Sequence, residues 1–164
     1  MELDSKNVYL LLGSNLGDRE ALLTEAIVEI GNQVGAVFAQ SSFYETAAWG
    51  KTDQPAFLNL AVGLKTTLSP LEVLKAVLGI EAELGRVRKE KWGARLIDID
   101  VIFYGEEIVD LGEELQIPHP QLQYRKFVLV PLAEIAGEII HPLIGKRVSE
   151  ILAILEDNLT VTKI

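Results

Sequence analysis

Four short apolar runs, each bounded by turn-forming residues, constrain the fold of this chain most strongly. Runs of this length with continuous or alternating hydrophobic side chains predict strands. They cover residues 8–12, 34–46, 57–66 and 96–104. Two amphipathic helices are predicted between them. The first runs from Asp18, a candidate N-cap, to about residue 30, and the second begins after Ser69, which with Glu72 forms a capping box, and stops near Gly85.

The predicted order of elements is therefore β-α-β-β-α-β. This order is typical of the ferredoxin-like split unit, an α+β fold in which an antiparallel sheet carries both main helices on one face. The rest of the chain predicts a C-terminal extension with a hairpin near residues 106–108, a short strand near 127–130 and two short helices after Pro131 and Ser149. We expect a single domain over residues 1–164, with residues 1–7 as a tail, because 164 residues is the size of one domain.

Composition excludes several classes of protein. The net charge of −9 argues against a general nucleic-acid binder, which needs a broad basic surface. The chain has no cysteine, so disulfides and thiolate metal sites are excluded. It has no apolar run long enough to span a membrane, and its first residues do not resemble a signal peptide. We therefore expect a monomeric cytoplasmic protein that binds neither nucleic acid nor membrane.

Asp98 and Asp100 are two carboxylates on one side of the last predicted strand. Alternate strand residues share a face, so the two stand about 7 Å apart. The opposite, wholly apolar side, which we expect to face the core, comprises Ile97, Ile99, Val101 and Phe103. Adjacent carboxylates repel each other unless a cation or proton lies between them, and Mg²⁺ is commonly bound by one or two carboxylates together with water and phosphate. An exposed acidic strand face is the alternative interpretation.

A cationic loop precedes this strand. Five of the fifteen basic residues lie within ten positions, and they are Arg86, Arg88, Lys89, Lys91 and Arg95. Guanidinium groups match phosphate oxygens, and Trp92 in the same loop offers a flat surface for a heterocycle. A small polyanion such as a triphosphate fits this loop, although a solvated charge run would look the same.

Two further residues are candidates for a site. Glu81 lies within the apolar arc of the second helix, where a carboxylate is costly unless it is paired. Glu81 could form a structural ion pair, or lie at the edge of the apolar arc within reach of water. We favour a third interpretation, in which it is a supporting acid that holds an arginine of the cationic loop. His119 lies between two prolines and is either a phosphate ligand or part of a surface turn.

Five segments together resemble the 6-hydroxymethyl-7,8-dihydropterin pyrophosphokinases of folate biosynthesis. They are LLGSNLGDR (11–19), SSFYETAAWG (41–50), DQPAFLNLAV (53–62), IEAELGRVRKEKWGARLIDIDVIFYG (80–105) and IPHPQLQYRKFVLVPLAEIA (117–136). The resemblance implies that the chain transfers the β,γ-pyrophosphoryl group of ATP, its co-substrate, to the hydroxymethyl oxygen of the pterin and releases AMP. It also implies two Mg²⁺ ions held by Asp98 and Asp100.

The resemblance further assigns roles to individual residues. The implied catalytic residues are Arg86, Arg95, Asp98 and Asp100; the supporting role of Glu81 rests on the helix pattern described above. The implied ATP-binding residues are Arg86, Arg88, Trp92, Arg95, His119 and Arg125. The implied pterin-binding residues are Thr46, Ala47, Trp49, Phe57, Asn59, Trp92 and Phe127. The chain departs from the pattern at Ala47, Leu78, Lys91, Ala94 and Pro120. Without the resemblance, Phe57, Asn59 and Phe127 are interpreted as ordinary strand residues.

Two other functions fit parts of the sequence. A non-catalytic ferredoxin-like module that binds a small anionic effector would explain the fold and the cationic loop, but it leaves the paired carboxylates unexplained. An RNA-binding module of the RRM type needs exposed aromatic residues on a basic surface, and the acidic charge argues against it.

Overall fold

The computed structural model describes residues 4–15, 17–46, 56–86, 97–157 and 159–164. Within these ranges the strands are β1 (Lys6–Ser14), β2 (Ala36–Gln40), β3 (Tyr44–Thr46), β4 (Phe57–Thr66), β5 (Asp98–Tyr104), β6 (Val109–Asp110), β7 (Gln116–Ile117) and β8 (Val161–Lys163). The helices are α1 (Arg19–Gln33), α2 (Pro70–Arg86), α3 (Lys126–Ala136) and α4 (Val148–Ile154), with a 3₁₀ turn at Leu122–Tyr124.

The main sheet is antiparallel and has the strand order β5-β1-β4-β3-β8, with β2 also paired to β4. Strands β6 and β7 form a separate hairpin. The chain is thus a mixed α/β protein with an antiparallel sheet and four described helices. No helix of the described residues is long and apolar enough to cross a membrane.

Both faces of the sheet are covered. On β1, Leu10 and Leu12 pack with residues of α1 and α2, whereas Tyr9 and Leu11 pack with residues of α3 and α4. Side chains of a strand alternate between the two faces, so the continuous apolar run of β1 is explained by burial on both sides. The two main helices therefore share one face, as predicted, and the C-terminal extension covers part of the other.

The local signals at the helix starts predicted the structure well. The Asp18 carboxylate accepts the N–H of Ala21 at 3.1 Å at the start of α1. At the start of α2 the Ser69 hydroxyl accepts the N–H of Glu72, and the Glu72 carboxylate accepts the N–H of Ser69. This reciprocal pair is the predicted capping box. The helices end later than expected, since α1 continues to Gln33 and α2 to Arg86.

The assignment of Phe103 to the same face as Ile99 is wrong. Leu10 pairs with Val101 and Tyr9 pairs with Phe103, so Ile102 is an extra residue, a β-bulge, between them. A one-residue insertion moves every later side chain to the opposite face. Phe103 consequently packs with the α3 and α4 residues, whereas Ile99 and Val101 pack with α1 and α2 as predicted.

Three other expectations need correction. Residues 34–46 form two strands, because three residues between Gln40 and Tyr44 stand opposite two residues of β4 and break the register. Residues 127–130 belong to the helix α3, which also contains Pro131; a short apolar run does not distinguish a strand from a buried helix. The predicted hairpin lies slightly later than residues 106–108, in β6 and β7.

Candidate functional site

An apolar cavity of about 330 Å³ opens on the sheet face that carries α3. Its lining comes from strands β1, β3, β4 and β5, from the start of α3 and from the C-terminal segment. The lining residues are Leu11, Gly13, Thr46, Phe57, Asn59, Asp98, Asp100, Arg125, Phe127 and Leu159. Seven residues predicted for ATP, pterin or metal binding are therefore brought together here, although they are distant from one another in the sequence.

The floor of the cavity contains a row of three residues on neighbouring strands. Gly13 of β1 pairs with Asn59 of β4 on one side and with Asp98 of β5 on the other. A Cβ atom added at Gly13 would lie only 2.4 Å from Nδ2 of Asn59. Only glycine therefore allows the Asn59 amide to occupy its position.

Two buried polar atoms in the cavity wall need hydrogen-bond partners. Thr46 and Asn59 are about 95% buried, with 4% and 5% exposure. Among the described residues, neither Oγ1 of Thr46 nor Oδ1 of Asn59 has a hydrogen-bond partner. An unsatisfied buried polar group costs about 1–3 kcal/mol. A bound molecule with polar edge atoms would remove this cost, so the cavity suits a flat, mostly apolar ligand with a hydrogen-bonding edge.

Aromatic and cationic groups complete the wall. Phe57 begins β4 opposite Thr46, the last residue of β3, and Phe127 lies at the start of α3. The guanidinium carbon of Arg125 lies 5.8 Å from the centre of the Phe127 ring, a cation–π contact. This contact places a positive charge beside the apolar wall, on a cavity that also contains both carboxylates.

Glu81 supports the strand that carries the two carboxylates. Its Oε2 accepts the N–H of Ile99 at 2.7 Å, and Ile99 stands between Asp98 and Asp100. Because β5 is at the edge of the sheet, an N–H that points away from β1 needs a partner outside the sheet. The contact found for Glu81 is thus with the strand backbone. The predicted contact with an arginine of the cationic loop falls on residues outside the described ranges.

A second, more polar cavity of about 590 Å³ lies between α2 and the segment from Gly112 to Pro120. Its lining residues are Leu74, Leu78, Glu81, Ile99, Asp100, Val101, Gly112, Glu113, Glu114, Leu115, Gln116, His119 and Pro120. Asp100 also lines the apolar cavity. The two cavities therefore meet at a carboxylate, which is a suitable arrangement for two substrates that react with each other.

His119 has a defined hydrogen-bonding state. Its Nδ1 accepts the N–H of Gln121 at 3.1 Å, so in the neutral ring the proton is on Nε2. Burial lowers the pKa of His119. The negative charge of Asp100 raises this pKa, and the positive charge of Arg125 lowers it further. The backbone N–H of His119 donates to the carbonyl of Ile102, which joins its loop to β5. His119 is thus a neutral donor at the wall of the polar cavity.

Several predicted site residues lie outside the described residues. They are Ala47, Trp49, Arg88, Trp92 and Arg95, together with Lys91 and Ala94 among the departures. Arg86 is the last residue of α2, but its side chain is also outside the description. The roles of these residues remain predictions.

Leu159 is a lining residue that the sequence did not indicate. It follows α4, and its position depends on Asp157, whose two oxygens accept the N–H of Leu159 at 2.8 Å and that of Lys126 at 3.2 Å. Asp157 thereby fastens the C-terminal segment to the first residue of α3, next to Phe127. This contact joins residues 31 positions apart, and no local pattern predicts such a pairing.

The chain is similar to proteins of one known family. Residues 9–137 match the family model described as 7,8-dihydro-6-hydroxymethylpterin-pyrophosphokinase (HPPK). The 2-amino-4-hydroxy-6-hydroxymethyldihydropteridine pyrophosphokinase of Methylorubrum extorquens is 48% identical over 152 residues, which cover 92% of this chain and 94% of that protein. The protein of the same name from Bacillus subtilis is 43% identical over 132 residues, covering 80% and 78%.

A solved structure shares the fold. An HPPK-DHPS chain of Plasmodium falciparum superimposes with a TM-score of 0.74 at 18% identity, and the match covers 93% of this chain. This chain spans 46% of that longer one. The family model covers most of the chain and the two bacterial relatives are more than 40% identical to it, so this chain belongs to the 7,8-dihydro-6-hydroxymethylpterin pyrophosphokinase family.

Proposed function

We propose that the chain transfers the β,γ-pyrophosphoryl group of ATP to the hydroxymethyl oxygen of 6-hydroxymethyl-7,8-dihydropterin, a step of folate biosynthesis, with AMP as the second product. The observation that carries this proposal is the meeting of an apolar and a polar cavity at Asp100. The apolar cavity would hold the pterin and the polar cavity ATP. The oxygen that attacks and the phosphorus that it attacks would then meet beside the two carboxylates.

The apolar cavity suits a pterin because it offers both stacking surface and polar partners. Phe57 and Phe127 would contact the faces of the ring, as aromatic side chains contact flat heterocycles. Asn59 has a buried carbonyl oxygen without a partner among the described residues, and it would accept a hydrogen bond from an N–H on the pterin edge. Thr46 would donate or accept at the same edge. The ring would thus be fixed in one orientation.

The donor set at Asp98 and Asp100 fits Mg²⁺. Both carboxylates are partly exposed on β5 and line the same cavity. No group of three or more metal-binding side chains occurs in the described part of the chain, so the pair would leave positions for water and phosphate oxygens, which Mg²⁺ prefers to keep. We propose that two ions bind here with ATP, where Mg²⁺ would neutralise phosphate charge and make the attacking hydroxyl more acidic.

The chain's own residues would mainly position the reactants. The row containing Asn59, Gly13 and Asp98 would align the pterin with the carboxylates, and Glu81 would hold the backbone between them. His119, neutral with its proton on Nε2, would donate to a phosphate oxygen. The positive charge of Arg125 would balance the negative charge of the phosphates. Such fixed donors stabilise developing charge without needing to reorganise. The loop arginines Arg86, Arg88 and Arg95 and the ring of Trp92 would complete the ATP site.

We also propose the architecture, the assembly state and the location of the protein. The core would have the ferredoxin-like topology, and residues 1–164 would form one domain. The protein would work as a monomer in the cytoplasm. Ala47 and Trp49, which follow β3 in the sequence, and Trp92 of the cationic loop would contact the pterin.

A product analysis tests the reaction directly. Purified protein with MgATP and 6-hydroxymethyl-7,8-dihydropterin should form AMP and the pterin diphosphate in equal amounts. Formation of ADP would contradict pyrophosphoryl transfer, and pterin and ATP binding without turnover would favour the effector-binding module. Asp98→Asn and Asp100→Asn should each abolish AMP formation but retain the fold. Glu138→Gln, which alters an exposed carboxylate whose side chain is 86% accessible, is the control and should be fully active.

A further inference from the structure

Arg19, the first residue of α1, connects two strands that end at the apolar cavity. Its Nη1 donates to the carbonyl oxygen of Ala56 at 2.8 Å, and its Nη2 donates to Oε2 of Glu45 at 3.0 Å. Glu45 is in β3, and Ala56 directly precedes β4. One guanidinium group therefore bridges two segments that are 26 and 37 residues away from it in the chain.

The two contacted residues are the immediate neighbours of cavity residues. Glu45 precedes Thr46, and Ala56 precedes Phe57. Thr46 and Phe57 face each other as the terminal pair of β3 and β4, and both line the cavity. A strand pair is most easily distorted at its end, since no further ladder bonds hold it there. Arg19 supplies two hydrogen bonds at that end.

The chemistry of the contact requires arginine. The guanidinium donates through two nitrogens of a rigid plane, one to a neutral carbonyl and one to a carboxylate. Hydrogen bonds that involve charged groups are about twice as strong as neutral ones. The Arg19 side chain is only 28% accessible, so water screens this pair less than a fully exposed one. Lysine has a single nitrogen and would not reproduce both bonds in the same geometry.

We infer that Arg19 is a positioning residue for pterin binding, which holds Thr46 and Phe57 in the wall of the apolar cavity through Glu45 and the Ala56 carbonyl. This inference rests on the proposed function, since it assigns that cavity to the pterin. Arg19 is not among the residues that line the cavity, so its effect on the ligand is transmitted through the ends of β3 and β4.

The test compares pterin binding in a set of variants by titration calorimetry, without turnover. Arg19→Gln removes the charge and one of the two nitrogens, and its dissociation constant for 6-hydroxymethylpterin should rise about tenfold or more. Arg19→Lys should lie between wild type and Arg19→Gln. Arg147→Gln, which removes an exposed arginine paired with Glu138 and Glu150, is the matched control and should bind like wild type. The dissociation constant for a non-hydrolysable ATP analogue should stay within about twofold in every variant.

A double-variant cycle identifies the path of the effect. Glu45→Gln leaves the bond to the Ala56 carbonyl intact and should weaken pterin binding less than Arg19→Gln does. The double variant should bind no more weakly than Arg19→Gln alone, because Glu45 acts only through Arg19. Unchanged pterin binding in Arg19→Gln, fully additive effects, or an equal loss of ATP-analogue binding would each overturn the inference. If wild type binds pterin but forms no AMP, the proposed reaction fails, and the order of the dissociation constants still decides the role of Arg19.

Discussion

Gly13→Ala should damage pterin binding and stability together, and the structure indicates how strongly. The new Cβ atom would lie 2.4 Å from Nδ2 of Asn59, well inside van der Waals contact. Gly13 is paired with β4 on one side and with β5 on the other, so its backbone has little freedom to withdraw. The Asn59 amide must therefore turn away from its position, where it donates to the carbonyl of Leu12 at 3.4 Å.

A methyl group that forces a neighbouring buried side chain out of its position costs about 1–3 kcal/mol. For a chain of this length that corresponds to a decrease of roughly 2–10 °C in the midpoint of thermal unfolding. If the proposed hydrogen bond between Asn59 and the pterin is also lost, the dissociation constant for the pterin should rise by roughly 10- to 100-fold. Calorimetric unfolding and titration with 6-hydroxymethylpterin measure the two effects separately.

Two comparison variants separate the clash from a general effect of the new methyl group. Gly31→Ala adds a methyl group in α1 where nothing lies within 4 Å, and it should leave binding unchanged and stabilise the fold by about 0.5–1 kcal/mol. Adding Asn59→Ala to Gly13→Ala removes the amide that causes the clash. The double variant should recover stability relative to Gly13→Ala, yet still bind pterin weakly. Wild-type pterin affinity in Gly13→Ala, or no such recovery, would refute the reasoning.

Three further predictions follow from individual contacts. Burial raises the pKa of Glu134, but hydrogen bonds from Tyr44 and Ser42 outweigh this and hold the pKa below its usual value. Ionised Glu134 therefore stabilises the fold above about pH 4.5, and this stabilisation is lost as the pH falls. Glu134→Gln should not show this loss when unfolding in urea is measured at acid pH. Burial, together with the hydrogen bond to Glu134 and its charge, raises the pKa of Tyr44 to about 12, so the same variant should lower the Tyr44 pKa in an ultraviolet titration. Burial lowers the pKa of His141, so the fold should lose stability as the pH falls below about 6.5, and unfolding of His141→Asn should depend less on pH between 5 and 7.5. Glu81→Gln keeps an oxygen that can accept the Ile99 N–H and should retain more AMP formation than Glu81→Ala; equal losses would instead favour a required negative charge.

Features set by neighbouring residues in the chain could be predicted from the sequence. The capping box at Ser69 and Glu72 depends on groups three residues apart and was confirmed in detail. The opposite faces of Asp98 and Ile99 follow from strand alternation, and they also agree with the structure. In each case the energy that decides the conformation comes from within one element, so the pattern is visible in a window of a few residues.

Features decided by packing between distant segments could not be predicted. The bulge at Ile102 gives β5 one residue more than the part of β1 with which it pairs, and this extra residue moves Phe103 to the other face. The helix over residues 127–130 is apolar in a way that fits a strand equally well, and its packing on the sheet decides the outcome. Leu159 lines the cavity beside Asp157, whose carboxylate accepts the N–H of Lys126 from a distant part of the chain.

Asn59 is also marked by its sequence context, apart from the family resemblance. Residues 57–64 read FLNLAVGL, so Asn59 is the single polar side chain among the first eight residues of β4, seven of which are buried. Gly13, its partner on β1, is likewise an unfavourable residue for the interior of a strand. Each residue alone lowers the stability of a strand. Together they are compatible, because the missing side chain of Gly13 leaves room for the Asn59 amide. Residues that weaken a fold and pair across a sheet therefore indicate where it has been adapted to bind a ligand.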